Sequence, residues 1–216
     1  MKAFSLVVAA LIAWAGIASA VILNTSVDGN AGPWQANGSV NSAYEYDGSV
    51  YGLPGSPTVV SAANGFDFTA GLSLTVTYVS GTVAVGAQPE WPFTDANGFT
   101  THDSLDNNSW GGIGPSYYMN HGTYPIYASE LVGTFANSSG QIVGTPFAIG
   151  NSGTFVIPTG ASRLQLGVND VGYGDNSGSW TIQISQVPEP TTAALVLTSL
   201  VGFGVATRRV RRTAVR

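Results

Sequence analysis

The chain has 216 residues, no cysteine, and charged side chains at only 9% of positions, with a formal net charge of −5. Without thiols it can form no disulfide, hold no metal through sulfur and use no cysteine nucleophile. The basic residues are confined to Lys2, Arg163 and a C-terminal cluster, so residues 21–186 carry eleven acids against one base, a net charge of −10. Such a segment repels nucleic acid and anionic lipid and attracts cations.

In chain order, Met1 and Lys2 lead into an apolar run at 4–17, followed by the small residues Ala18, Ser19 and Ala20. That order predicts an export signal peptide over residues 1–20. Residues 21–186 are long enough to bury one core and show no apolar stretch of helical period. Strands are expected at 21–27, 58–61, 82–85, 131–135, 145–149 and 154–157. Leu72, Leu74, Val76 and Tyr78 alternate with polar residues, as do Leu164, Leu166 and Val168, and Trp180, Ile182 and Ile184; each set predicts a half-buried strand. Short strands broken by Gly, Asn, Ser and Pro turns predict an all-β fold, an antiparallel β-sandwich over residues 21–186. Residues 88–125 have no period and are rich in Gly, Asn, Trp and Tyr; so long a loop is expected to be functional or mobile.

The last turn, within residues 168–180 (VNDVGYGDNSGSW), crowds oxygen donors between two strands. Asp170, Asp175 and Asn176 are hard ligands within seven residues, and Gly172 and Gly174 let the backbone fold so that a carbonyl can join them. The composition suits calcium, although the spacing is not that of an EF-hand. It also suits a hairpin in which Asp and Asn only cap the backbone as Asx-turns.

Beyond the turn, residues 187–190 (VPEP) precede an apolar run at 191–207 and then Arg208, Arg209, Arg211, Arg212 and Arg216. As a helix, that run would span about 25 Å, marginal for a bilayer core, and the arginines would stay cytoplasmic. The order Pro-Glu-Pro, apolar helix, arginine cluster resembles the PEP-CTERM sorting signal of Gram-negative bacteria, at residues 187–216. The resemblance implies transient anchoring in the inner membrane, processing by an exosortase, and delivery to the cell surface or an extracellular polysaccharide matrix.

A second resemblance lies within the domain. Residues 150–155 (GNSGTF), 163–170 (RLQLGVND) and 175–180 (DNSGSW) are similar to the C-terminal half of the bacterial galactophilic lectins, galactose-binding-like sandwiches of jelly-roll type that bind sugar through calcium. The resemblance implies calcium ligands at Asp170, Asp175 and Asn176, with a carboxylate at Asp175 where the family has a carboxamide. It further implies a turn carbonyl at Gly172 and, through residues 74–86 (LTVTYVSGTVAVG), a carbonyl at Val85. The family's His-Pro-x-Gln-Gly sugar loop has no counterpart run; His102 falls in the corresponding loop, followed by Asp103.

Sugar binding needs a flat apolar platform beside polar groups or a cation. Trp91 and Trp110, with Tyr117, Tyr118 and Tyr124, are the candidates in the aperiodic loop, His102 is a candidate contact, and Trp34 and Trp180 are assigned to packing. The expected function is an exported, calcium-dependent, lectin-like protein whose partners are carbohydrate, the exosortase and the membrane, and not nucleic acid. The alternative is a structural matrix or adhesin sandwich in which calcium only pins the turn. An enzyme is not expected: a glycosidase built on Asp95, Asp103 or Asp106 needs a second carboxylate across a cleft, and neither a Gly-x-Ser-x-Gly elbow nor a His-Glu-x-x-His pair occurs.

Overall fold

A computed structural model describes residues 19–33, 35–36, 39–40, 52, 54–86, 89, 91–99, 126–170 and 172–187. The expected export segment through residue 18 and the expected sorting tail from residue 188 lie outside them. Val21–Gln186 form one compact unit.

That unit is built from two four-stranded antiparallel sheets. In spatial order the first is β1 (Val21–Asp28), β10 (Ser177–Gln186), β5 (Ser73–Ala84) and β8 (Ser152–Val156). The second is β4 (Thr58–Ser61), β9 (Arg163–Val168), β6 (Leu131–Ala136) and β7 (Phe147–Ala148). A two-stranded ribbon, β2 (Gln35–Ala36) with β3 (Ser39–Val40), stands apart from both.

The alternation read from sequence sorts the faces. In the first sheet Leu74, Val76, Val83, Trp180, Ile182 and Ile184 are fully buried, and their neighbours Thr75, Thr77, Thr181 and Gln183 lie on the other face. Val60, Leu131, Phe135, Leu164, Leu166 and Val168 do the same for the second sheet, and all of them join one core cluster. Each buried Leu or Ile contributes about 1.5 to 3 kcal/mol by leaving water, so two sheets closed face to face are the all-β sandwich that the pattern requires. Trp180 is a core residue, as expected, and its indole Nε1 donates to Thr94 O at 3.2 Å.

Three expectations change. The segments 72–78 and 82–85 are not separate strands but one, β5, interrupted by a bulge. Thr181 faces Ser80 while Ile182 faces Tyr78, which leaves Val79 as the extra residue. Gly81 lies beside it with φ of 95°, and a Cβ there would meet Ser179 O at 2.2 Å, so a glycine that reads as a turn is a requirement of the bulge. Second, β9 is buried on both faces, not one. Gln165 is fully buried because residues 31–33 cross its outer face, where Pro33 O accepts from Gln165 Nε2 at 3.0 Å and from Thr134 Oγ1 at 2.6 Å. Third, a 3-10 turn at Ala62–Asn64, capped by Ser61 and Asn64, is too short to leave any period in the sequence.

Residues 91–99 belong to the long aperiodic stretch, yet they are fastened. Thr94 exchanges both backbone hydrogen bonds with Val83, at 2.8 and 3.1 Å, and so takes the place beside β5 that β8 has vacated. Leu131 N donates to Ala96 O at 3.0 Å, tying the same segment to the second sheet.

Candidate functional site

Antiparallel pairing brings five chain segments to one end of the sandwich. β1 ends at Asp28, β5 ends at Ala84 and β10 begins at Ser177, with Asp28 paired to Ser179 and Ala84 to Ser177. In the second sheet β9 ends at Val168, opposite Leu131 at the start of β6. The sheets are joined there through Val168 N to Ala31 O at 2.8 Å and Thr94 Oγ1 to Ser129 Oγ at 2.9 Å.

The oxygen-rich turn connects β9 to β10 at this end. Val85 and Asn176 are the residues that follow and precede the last paired residues of β5 and β10, Ala84 and Ser177. Asn176 is oriented by its own amide: Nδ2 donates to Gly29 O at 2.7 Å, and the opposite rotamer would set oxygen against oxygen. Its Oδ1 is thereby buried, and it has no hydrogen-bond partner. Asp170 is only 4% exposed, Gly172 is buried, and Asp175 is exposed at the tip of the turn. Tyr173 folds back into the core, donating from its hydroxyl to Val168 O at 2.8 Å.

The buried Asn176 oxygen without a donor costs about 1 to 3 kcal/mol as an unsatisfied polar group, and the Asp170 carboxylate at the same end is itself largely withdrawn from water. The one base of the compact unit, Arg163, is at the far end of β9 and donates to Ser138 O. Among the described residues no three His, Cys, Asp or Glu side chains gather as a metal-binding group. A cation here would therefore draw on carboxamide and backbone oxygens alongside Asp170, the donor chemistry that suits calcium.

Two aromatic residues flank this end. Trp91 is partly buried, meets Phe99 edge-on with ring centroids 5.3 Å apart, and rests on Gly86, where a Cβ would lie 2.6 Å from the indole. Phe93 is 50% exposed, and its ring edge lies 3.2 Å from the position that a Cβ on Gly178 would take. Sequence reasoning passed over Phe93, which carries no polar motif and sits in a stretch without period. His102 and Trp110, with Tyr117, Tyr118, Tyr124, Asp103, Asp106 and Trp34, lie outside the described residues.

A polar network braces the site from the side of the second sheet. Asp95 accepts from Asn97 N at 3.0 Å and from Asn151 Nδ2 at 2.9 Å, and Asn97 Oδ1 accepts from Asn151 N at 2.9 Å. Asp95 therefore staples residues 94–98 to the loop before β8. Glu130, also missed from sequence, is 7% exposed and accepts from Tyr127 N through Oε2 at 2.7 Å. Burial pushes its carboxyl up to about 7 against the lowering effect of that backbone hydrogen bond. Its turn is bonded to the residue before Asp170: Asn169 N donates to Glu130 O, Ser129 N to Asn169 O, and Asn169 Nδ2 to Tyr127 O at 2.8 Å.

No family model matches the sequence, and no curated protein matches it. Among solved structures the chain is similar, at 13% identity and a TM-score of 0.40, to the N-terminal domain of EclA, a PllA-like lectin, over 77% of this chain and 98% of that one. It is also similar, at 12% identity and a TM-score of 0.28, to AJLec from the sea anemone Anthopleura japonica, over 78% of this chain and 92% of that one.

Proposed function

We propose that residues 21–186 are a calcium-dependent carbohydrate-binding module of galactose-binding-like type, exported and displayed at the surface or in the polysaccharide matrix of a Gram-negative cell. The observation that carries this reading is a buried oxygen without a donor at one end of the sandwich, Asn176 Oδ1, whose amide is held by Gly29 O, at the end where the buried Asp170 follows β9. Asp170 and Asn176, with Asp175 from the rim and the carbonyls of Val85 and Gly172, would hold the ion. Bound calcium would supply open coordination positions for vicinal hydroxyls of a sugar. The protein's own part is to fix these oxygens, through the β5 and β10 register and the Asn176 to Gly29 bond, so that little ordering remains when the ligand arrives. The tail at 187–216, with its Pro-Glu-Pro motif, apolar run and arginines, supports export followed by anchoring in the inner membrane and exosortase processing. Among the described residues no helix is long and apolar enough to cross a membrane, and the run at 191–207 lies outside them.

A glycan array probed with the full-length protein in calcium and again in chelator tests the reading. Retention of a set of glycans in calcium, abolished by chelator, is the expected result. Absence of glycan retention in both conditions, from protein that binds calcium, would leave calcium as a pin for the turn and sink the carbohydrate reading.

A further inference from the structure

We propose that Phe93 is the apolar platform on which the ring face of a neutral sugar rests at the end of the sandwich formed by Val85, Asp170 and Asn176. The inference rests on the carbohydrate reading above and names the contact that it lacks. A cation binds hydroxyls, but a pyranose also presents a flat patch of C–H groups, and an aromatic face is the surface that takes it.

The large exposed apolar side chains among the described residues are Ile22, Val59, Val79, Phe93, Val156 and Val187. Five are aliphatic and belong to strands or to the residue after β10, away from the turn at 169–177. Phe93 is the aromatic one, and it is the one at this end: its ring abuts Gly178, two residues beyond Asn176. Nor is it a loosely held loop residue. Pro92 precedes it with a restricted φ, and Thr94 follows it, fixed by two backbone bonds to Val83, by the hydroxyl bond to Ser129 and by the indole N–H of Trp180. Gly178, with φ of 84° and no room for a Cβ against Thr82 O at 2.1 Å, lets the ring lie close against the β10 backbone. A half-exposed phenyl on so rigid a support exposes apolar surface that the fold does not require to be wet, the arrangement expected of a preorganised contact. Trp91, by contrast, spends part of its ring on Gly86 and Phe99. The ligand class is neutral, because the surrounding unit at a net charge of −10 repels acidic sugars.

The test titrates the methyl glycosides of glucose, galactose, mannose and fucose into full-length wild type, Phe93→Ala and Phe93→Tyr at saturating calcium, with calcium alone titrated into each protein as a separate measurement. The expected result is that Phe93→Ala binds the preferred glycoside about tenfold more weakly, Phe93→Tyr stays near wild type, and calcium affinity is the same in all three. Equal glycoside affinity in wild type and Phe93→Ala would overturn the platform and leave the carbohydrate reading standing. A parallel loss of calcium affinity in Phe93→Ala would show that the ring only props the turn, and would also overturn it. If wild type bound none of the glycosides while binding calcium, the platform and the carbohydrate reading would fall together.

Discussion

Glu130 shows how much one side chain can couple at this end of the molecule. Its carboxyl is raised from an ordinary value of 4.5 to about 7 by burial, so the folded state binds its proton more tightly than the unfolded chain does. That preference stabilises the fold fully below about pH 4.5 and is lost as pH rises through about 7. In chelator, unfolding free energy should therefore fall by about 1 to 3 kcal/mol between pH 4.5 and 8 in wild type, and the fall should be smaller in Glu130→Gln. Identical slopes in urea titrations of the two proteins would remove Glu130 from this role. Nothing local in the sequence marks the residue: it stands before an apolar strand with no acidic neighbour, and its burial follows from the turn at 127–130 meeting Asn169. Asp170, Asp175 and Asn176 were legible because the turn concentrates them within seven residues. That the Asn176 oxygen would be buried without a donor was not, since it depends on Gly29, far away in the chain.

At the scale of elements, β9 is the strand that the sandwich tolerates least change in. Gly167 lies under the segment that crosses the outer face, and a Cβ there would stand 2.5 Å from Ala31 O and from Pro33 N, both backbone atoms that cannot rotate away. Gly167→Ala should cost about 1 to 3 kcal/mol by overpacking, readable as a lower urea midpoint at unchanged slope, whereas Gly71→Ala meets nothing within 4 Å and should cost less, through its φ of 92° alone. Comparable midpoints for the two variants would contradict the close crossing. The same strand marks where sequence patterning stopped being informative. Alternation at Leu164, Leu166 and Val168 gives one buried face correctly; burial of Gln165 comes from residues 31–33, which are remote in sequence. Alternation likewise found both halves of β5 but left them as separate strands, because a bulge carrying a glycine interrupts the period as a turn would. The pairing of β5 with β10 that brings Ala84 beside Ser177 is long-range, and a backbone ligand has no side-chain signature, so Val85 entered only through the family resemblance.

For the whole molecule, composition already restricts the options: eleven acids against one base in residues 21–186 leave the unit strongly anionic, and without cysteine its stability rests on the core and on any oxygen-bound ion. If the tail is a sorting signal, surface material from the native host should lack residues 191–216 by mass spectrometry; an intact C-terminus there would count against processing. The central claim is that the end of the sandwich at Asp170, Asn176 and Val85 holds calcium in the folded state. Thermal melting of the full-length protein in calcium and in chelator measures this directly. An ion at a hundred times its dissociation constant stabilises the fold by about 2.7 kcal/mol, so the melting temperature should rise by several degrees, about 2 to 4 for each kcal/mol. The rise should vanish in Asp170→Ala and be only reduced in Asp175→Asn, which keeps an oxygen donor on the exposed rim. Equal melting temperatures in calcium and chelator, with Asp170→Ala indistinguishable from wild type in both, would contradict the claim and leave the turn a capped hairpin.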